Sequence, residues 1–474
     1  MISTLNEIFS GNKELFEGLW IYDRIDWAPY PVIHLDFTLL NYQTSERLEE
    51  SLGRLLDDIA ASYGIQLDQD RYYNEKFKQL IDKLASAHNG KVVVLIDEYD
   101  KPIIDKIETQ QQAMVHRDIL NGFYAIIKAM DRYIHFALIT GVSKFSRVSV
   151  FSGLNNLRDI TLSEDFSSIM GYTHKELAHY FHLHIQALAE KLHLQEDELS
   201  ANLKTWYNGY SWDGKNFLYN PHSILNLFKE QKFDNYWFTS ATPTFLVKLI
   251  RTTQFPFESF DRYETDHSVF ESFDVDRINI ASLLFQSGYL TIKEILPVSV
   301  TSRMYYFSYP NAEVKESFIK HLLSQFSGKL PNEVGSLAFQ INRHIQAGDI
   351  EGFVNIVKSL FASIPYNIFE TANESYYHSL MYLILTLAGI NIQAEVQTNI
   401  GRTDAIIETN DTIYIVEFKI GTAESALNQI EEKKYFEKHL SSPKTIKLLG
   451  IGFNPTRRNI GDHKLEDLPV RKMV

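Results

Sequence analysis

The chain has 474 residues, 45% of them hydrophobic and 13% aromatic, which fills large cores and excludes a disordered or fibrous protein. Its formal net charge of −14 excludes a general nucleic-acid coating protein, so any nucleic-acid site must be a local patch working against the global field. There is no cysteine, which removes disulfides, thiolate metal sites and cysteine nucleophiles and fits a reducing cytoplasm.

Two or three domains are expected at this length. The start, Met1-Ile-Ser-Thr-Leu-Asn-Glu-Ile-Phe9, lacks the basic opening and long apolar run of a signal peptide. Its Ile2, Leu5, Ile8 and Phe9 follow helical spacing, so the chain opens on an amphipathic helix. Pro31-Val-Ile-His-Leu-Asp36-Phe reads as a buried strand. Ser45 to Tyr63, Tyr73 to Ala87 and Arg117 to Met130 read as helices, and Val92 to Ile96 and Ile134 to Ile139 as buried strands. Strands alternating with helices predict a parallel sheet in an α/β domain.

From about Ser163 to about Ile345 helical segments dominate, among them Thr173 to Leu192, Glu196 to Trp206 and Pro243 to Thr252. Trp206-Tyr-Asn-Gly-Tyr210 and Tyr219-Asn-Pro221 read as packed turns closing this helical part. Helices at Asp349 to Ser363 and Glu374 to Leu387 lead into strands at Ala394 to Asn399, Asp404 to Glu408, Thr412 to Phe418 and Thr445 to Gly452, with a helix from Thr422 to His439. The most apolar run, Leu380 to Ile390, is about half of the roughly 20 residues a bilayer requires, so no membrane association is expected.

Two places carry chemistry. Val92-Val-Val-Leu-Ile-Asp97-Glu98-Tyr-Asp100 is a continuous apolar strand that ends in acids at the sheet edge where α/β proteins bind ligands. Asp97 there can hold Mg²⁺ through water and Glu98 can polarise an attacking water; the alternative is that two acids solvate a strand end. Ala137-Leu-Ile-Thr140-Gly-Val-Ser143-Lys144 reaches the same edge, where Thr140 can sense a phosphate. A phosphate-cradling G-x-x-x-x-G-K-[ST] loop occurs nowhere in these residues; Gly90-Lys91, Gly214-Lys215 and Gly328-Lys329 all lack the hydroxyl that follows.

The second place is Gly401-Arg-Thr-Asp404-Ala-Ile-Ile-Glu-Thr-Asn410-Asp411-Thr-Ile-Tyr-Ile-Val-Glu417-Phe-Lys419. Asn410 and Asp411 form the turn of a hairpin. Asp404 lies six residues before that turn and Glu417 six after it, so the two carboxylates fall opposite each other, with Lys419 on the same face as Glu417. Two hard oxygen donors suit Mg²⁺, which can activate water against a phosphodiester while Lys419 orients that water or stabilises developing charge. An E-x-K pair taken alone is more often a surface ion pair. Lys433, Lys434, Lys438, Lys444, Lys447, Arg457 and Arg458 supply local positive charge, either for phosphates or as a solvated face. The 16 histidines form no H-x-x-x-H or H-E-x-x-H pattern, and no Gly-x-Ser-x-Gly element occurs, so neither a zinc nor a serine hydrolase is supported.

Taken together, Val94-Leu-Ile-Asp-Glu-Tyr-Asp-Lys-Pro102, Ile139-Thr-Gly-Val-Ser-Lys144, Trp206 to Tyr210 and Tyr219 to Pro221 resemble the bacterial AAA-ATPase-like family, whose members end in a PD-(D/E)XK nuclease-like domain. The D-x12-E-x-K spacing resembles that nuclease superfamily. The resemblance implies an α/β multidomain protein. A P-loop-NTPase-like parallel-sheet domain is expected at 1–165, a helical domain at 166–345 and a restriction-endonuclease-like α/β domain at 346–474. It implies Asp97, Glu98 and Thr140 at a nucleotide site. It also implies Asp404 and Glu417 as Mg²⁺ ligands with the Phe418 carbonyl, Lys419 as catalytic, Glu374 or Glu395 as a further acid, and Gln429, with Tyr435 on the same helix, bordering the centre. Family members carry a Gly-Lys-Thr or Gly-Lys-Ser loop just before the helix that Met1 to Phe9 resembles. Either residues before Met1 are missing from this sequence, or this member has lost nucleotide binding. ATP binding is expected only with that loop restored. The expected function is a cytoplasmic Mg²⁺-dependent nuclease on DNA or RNA, coupled in full-length relatives to ATP. The alternative is a non-catalytic regulatory or binding module with a degenerate nuclease fold.

Overall fold

The computed structural model describes residues 1–88, 90–107, 109–142, 156–237, 260–270, 279–364, 374–397 and 402–468, with backbone alone at 374–376, 391–397, 402 and 403. Helix α1 (Ile2–Phe9) leads into a parallel sheet of β1 (Val32–Asp36), β2 (Val92–Asp97) and β3 (Ile134–Ile139), with β2 in the centre. The unbroken apolar run of β2 is explained by burial on both faces. Val93 and Leu95 pack with Ile2 of α1, while Val92, Val94 and Ile96 face the core shared with α2 (Ser45–Ser62), α3 (Tyr73–Ala87) and α5 (Gln110–Ala129). The short α4 (Lys101–Ile104) follows directly on the acidic end of β2.

The middle is helical. Helices α6 (His174–Tyr180), α7 (His182–Leu192), α8 (Glu196–Tyr207) and α9 (Pro221–Glu230) enclose a second apolar cluster around Leu188, Leu203 and Leu227. They are followed by α10 (Ile280–Gln286), α11 (Ala312–Ser327), α12 (Pro331–Gln346) and α13 (Ile350–Ser363). The reading of a helical middle part holds, but it did not anticipate two small antiparallel sheets. One pairs β4 (Asn208–Tyr210) with β5 (Leu218–Tyr219). The other orders β6 (Tyr263–Thr265), β8 (Arg303–Ser308) and β7 (Thr291–Pro297). Apart from β7, these strands are short and carry Tyr or Phe, so a helix-period search passes over them. The expected helix at Pro243 to Thr252 lies outside the described residues.

The aromatic segments pack as read. Tyr207 stacks on Phe233 at 5.7 Å between centroids and donates to the Asp234 carbonyl at 2.9 Å. Gly209 has φ +127 with the Pro310 carbonyl pressed against it, leaving no space for a side chain. Asn220 caps α9 by accepting from the His222 and Ser223 amides. Nearby, the buried Glu313 of α11 ties three elements together by accepting from the Ser223 hydroxyl and from the Tyr236 and Trp237 amides.

The C-terminal part begins with α14 (Glu374–Leu387). It continues with β9 (Asn391–Gln397), β10 (Arg402–Glu408), β11 (Thr412–Ile420), α15 (Ala423–Lys433), β12 (Thr445–Asn454) and β13 (Asn459–Asp467). The sheet order is β13-β12-β11-β10-β9, antiparallel except for β11 and β12, which are joined by the α15 crossover. The helix expected to reach His439 stops at Lys433, where Lys434 turns left-handed at φ 47.

His116 of α5 is buried, and its Nδ1 donates to the Pro102 carbonyl at 2.8 Å. Burial lowers its pKa, so the folded chain takes up a proton there less readily than the unfolded chain does. In the unfolded chain it titrates near its ordinary value of about 6.5. As pH falls through that value, the unfolded chain takes up a proton that the folded one binds less readily, and stability drops. The urea midpoint should therefore fall between pH 7 and pH 5.5. His116→Gln, which keeps an N–H donor but cannot titrate, should make that fall shallower; an unchanged slope would show that His116 does not contribute.

Candidate active site

The hairpin closes as expected, with the Thr409 amide donating to the Thr412 carbonyl across Asn410-Asp411 at 2.9 Å. From there the β10–β11 register runs from Glu408↔Ile413 to Ala405↔Val416, where the ladder ends. The next opposed pair is Asp404 and Glu417. Here the strands part and side chains replace main-chain partners. The Phe418 amide donates to Asp404 Oδ2 at 2.8 Å, and the Asp404 amide donates to Glu417 Oε2 at 3.3 Å. Each carboxylate thus caps the other strand. Ile406, Ile413 and Ile415, on the same face as Glu417, pack with Leu427 and Ile430 of α15. Phe418 points to the opposite face, where its ring centroid is 6.0 Å from that of Phe453, which stacks in turn on Tyr377 of α14 at 4.4 Å.

Glu417 has no exposed surface, which is costly for a carboxylate unless hydrogen bonds and a nearby cation offset it. Gln429 of α15 donates to its Oε1, and Lys419 Nζ stands 4.0 Å from the same oxygen. The Tyr435 hydroxyl is 3.5 Å from the Gln429 amide nitrogen, and burial pushes its pKa up, so it stays protonated. The structure therefore brings together Asp404, Glu417, Lys419, Gln429 and Tyr435. It adds a residue that the sequence reading missed: His378 of α14, whose Nε2 is 3.5 Å from Asp404 Oδ2. His378 sits four residues after Glu374, one turn along the helix on which an acid was sought, and that spacing was the available signal.

Glu374 opens α14 and Glu395 lies on β9, but both side chains fall outside the described residues. Among the described residues, no group of three or more His, Cys, Asp and Glu side chains converges as a metal cage. Asp404 and Glu417 are two carboxylates on adjoining strands, hard oxygen donors of the kind that Mg²⁺ takes. Lys444 and Lys447 lie at the other end of the sheet and pair with Glu408 and Asp467 at 2.8 and 3.2 Å, and Lys434 pairs with Glu437 at 3.7 Å. Arg457 and Arg458 occupy the β12–β13 turn, at the same end of the sheet as Lys419.

At the N-terminal sheet, Thr140 donates to Asp97 Oδ1 at 2.5 Å, bringing those two together, with Asp36 beside Asp97 in register. Glu98 holds φ +54, a conformation that costs a non-glycine residue about 1 kcal/mol or more. Burial, then the adjacent Asp100 and Asp97 charges, raises its pKa. Asp100 is fully buried and accepts from the Val142 amide at 3.1 Å. Gly141 has Asp100 and Tyr99 where any side chain would stand. Strain, crowded acids and a close backbone approach thus coincide at one sheet edge. Ser143 and Lys144 lie outside the described residues.

Residues 1–151 match the family model described as Predicted AAA-ATPase, and residues 372–463 match that of the PD-(D/E)XK nuclease superfamily. The chain is 35% identical over 475 residues to a protein of Azotobacter chroococcum mcd 1 named "Uncharacterized protein in vnfD 5'region", covering 98% of this chain and 89% of that relative. No solved structure matches. The chain belongs to the AAA-ATPase-like proteins that carry a C-terminal PD-(D/E)XK nuclease-superfamily domain. Among the described residues, no helix is long and apolar enough to cross a membrane.

Glu98→Gly should remove both the φ strain and the carboxylate crowded by Asp97 and Asp100. Stability should rise by about 1 kcal/mol in urea titration at pH 7. A destabilised Glu98→Gly protein would mean that the Glu98 side chain holds the turn.

Proposed function

We propose that the protein is a Mg²⁺-dependent nuclease that hydrolyses phosphodiester bonds of DNA or RNA in the cytoplasm, a reaction coupled to ATP in full-length relatives that carry the phosphate loop. The observation that carries this reading is the reciprocal capping of Asp404 and Glu417 where β10 and β11 part, with Lys419 beside them. Asp404, Glu417 and the Phe418 carbonyl would hold the Mg²⁺, which when bound supplies an activated water and charge stabilisation at the phosphate. Lys419 would orient the water or donate to the developing negative charge. Gln429 would hold the Glu417 carboxylate in place, and His378 the Asp404 carboxylate. Glu374, on the helix that brings His378, is the candidate for a third acid. The domain division that goes with this reading is 1–165, 166–345 and 346–474. A single apolar cluster from Ile33 to Ile460 makes those parts neighbours in one packing unit.

A second reading has its own support. Both oxygens of the buried Glu417 are already engaged, by the Asp404 amide and by Gln429, and the described residues hold no three-ligand cluster. Such a domain would bind nucleic acid or protein without cutting.

Incubation of the purified protein with plasmid DNA and with RNA in Mg²⁺ or Mn²⁺ separates the two readings. The nuclease reading expects nicking or cleavage. Lys419→Ala should slow it by about a hundredfold or more while Mn²⁺ binding persists. Glu417→Ala should abolish both, because Mg²⁺ takes few protein ligands. Cleavage that survives Glu417→Ala would place the activity elsewhere, and metal binding without cleavage of any nucleic acid would favour the binding module.

For the N-terminal domain, Asp97 and Thr140 offer the magnesium side of a nucleotide site, while the 474 residues contain no phosphate-cradling loop. Calorimetry on these residues should find weak or no ATP binding. Joining a strand and a Gly-Lys-Thr loop ahead of Met1 should restore it, and Asp97→Asn should then weaken it. Micromolar affinity without the added loop would contradict this account.

A further inference from the structure

Helix α14 serves two parts of the chain at once. It packs on β9 and β11 of the nuclease sheet and also on α11 and α12 of the middle part. His378 reaches 3.5 Å from Asp404 Oδ2. One turn further, on the same face, Tyr382 donates its hydroxyl to Asp261 Oδ2. Asp261 Oδ1 holds Lys315 of α11 at 2.6 Å, and that ammonium lies 5.6 and 5.9 Å from the ring centroids of Tyr309 and Tyr382. A line of contacts therefore runs from Lys315 through Asp261 and Tyr382, along one helical turn, to His378 and Asp404.

The surroundings of this line are apolar. Phe318 and Leu322 of α11 and Leu383 and Leu385 of α14 are buried in the common core. Apolar packing is non-directional and tolerates small rotations and slides of a helix. A hydrogen bond to a charged partner does not, because it weakens steeply with distance and angle, and this one is part-buried. Tyr382 is 3% exposed, so its hydroxyl has little access to water as a substitute.

We propose that Tyr382 is a positioning residue for the carboxylate site. Its bond to Asp261 sets the rotation and height of α14, hence the approach of His378 to Asp404, and so places the site under control of the middle part of the chain. This inference rests on the reading of Asp404, Glu417 and Lys419 as the cleavage centre.

Tyr382→Phe tests it, because the ring and its packing remain and Asp261 keeps Lys315. In the full chain, plasmid nicking in Mn²⁺ should fall about tenfold, the usual scale for loss of a group that supports a ligand. The DNA affinity measured in Ca²⁺ should stay within twofold. The decisive readout is the double variant: in a His378→Ala background, Tyr382→Phe should cause no further loss, because its effect passes through His378. A wild-type rate in Tyr382→Phe, or losses that multiply in the double variant, would overturn the proposal. If Tyr382→Phe does not fold, Asp261→Asn removes the charge from the other side of the same bond and is read in the same way. If the wild-type protein cuts neither DNA nor RNA, the nuclease reading fails separately. Positioning is then read from the imidazole resonances of His378 in histidine-labelled protein. A shift caused by Tyr382→Phe supports the proposal, and unchanged resonances overturn it.

Discussion

A central strand buried on both faces admits a carboxylate only where its covering or its ladder ends, and both candidate sites obey that constraint. In β2, α1 covers Val93 and Leu95 from one side while Val94 and Ile96 face the main core, so Asp97 falls at the open C-terminal edge. In β11, α15 covers Ile413 and Ile415 while Tyr414, Val416 and Phe418 face the main core. Glu417 goes further than Asp97, since it is fully buried and sits before the strand's end. It is accommodated because the β10–β11 ladder ends at Ala405↔Val416, leaving an amide on each strand for the opposing carboxylate. Charge and backbone satisfaction are thus met by the same two side chains, and disturbing either would leave a buried amide unpaired as well as a charge uncompensated.

The two sheet edges differ in how they hold their acids. At β2 the crowding is electrostatic and conformational: Glu98 lies between Asp97 and Asp100 in a left-handed conformation, with its pKa raised. That is stored strain, the kind a bound cation or phosphate-bearing ligand can relieve. At β11 the acids are already hydrogen-bonded, so the site is preorganised rather than strained. Helix α14 belongs to this preorganisation. It brings His378 to Asp404 while its other contacts belong to α11 and α12, which makes the nuclease-like sheet and the middle part mechanically continuous.

The sequence alone determined the secondary elements that have strong periodicity and the chemistry at the end of each central strand. Val92 to Asp97 and Ile134 to Ile139 were legible because two-sided burial demands unbroken apolar runs. The opposition of Asp404 and Glu417 was legible because strand geometry has a fixed period of two and Asn410-Asp411 marks the turn. Short antiparallel strands such as Arg303–Ser308 were not legible, since their aromatic residues suit helix and strand alike and only pairing decides between them. Tyr382 carried no signal either, and His378 only its four-residue spacing from Glu374. Each is one ordinary residue on an apolar helix, and its partner lies 26 residues away in Asp404 or 121 residues away in Asp261. Contacts of that separation depend on how the helix is rotated against two different surfaces, and local sequence does not encode a rotation. Tertiary packing therefore decided which side chains accompany the two carboxylates, because the position of α14 is set jointly by the sheet beneath it and the helices above it.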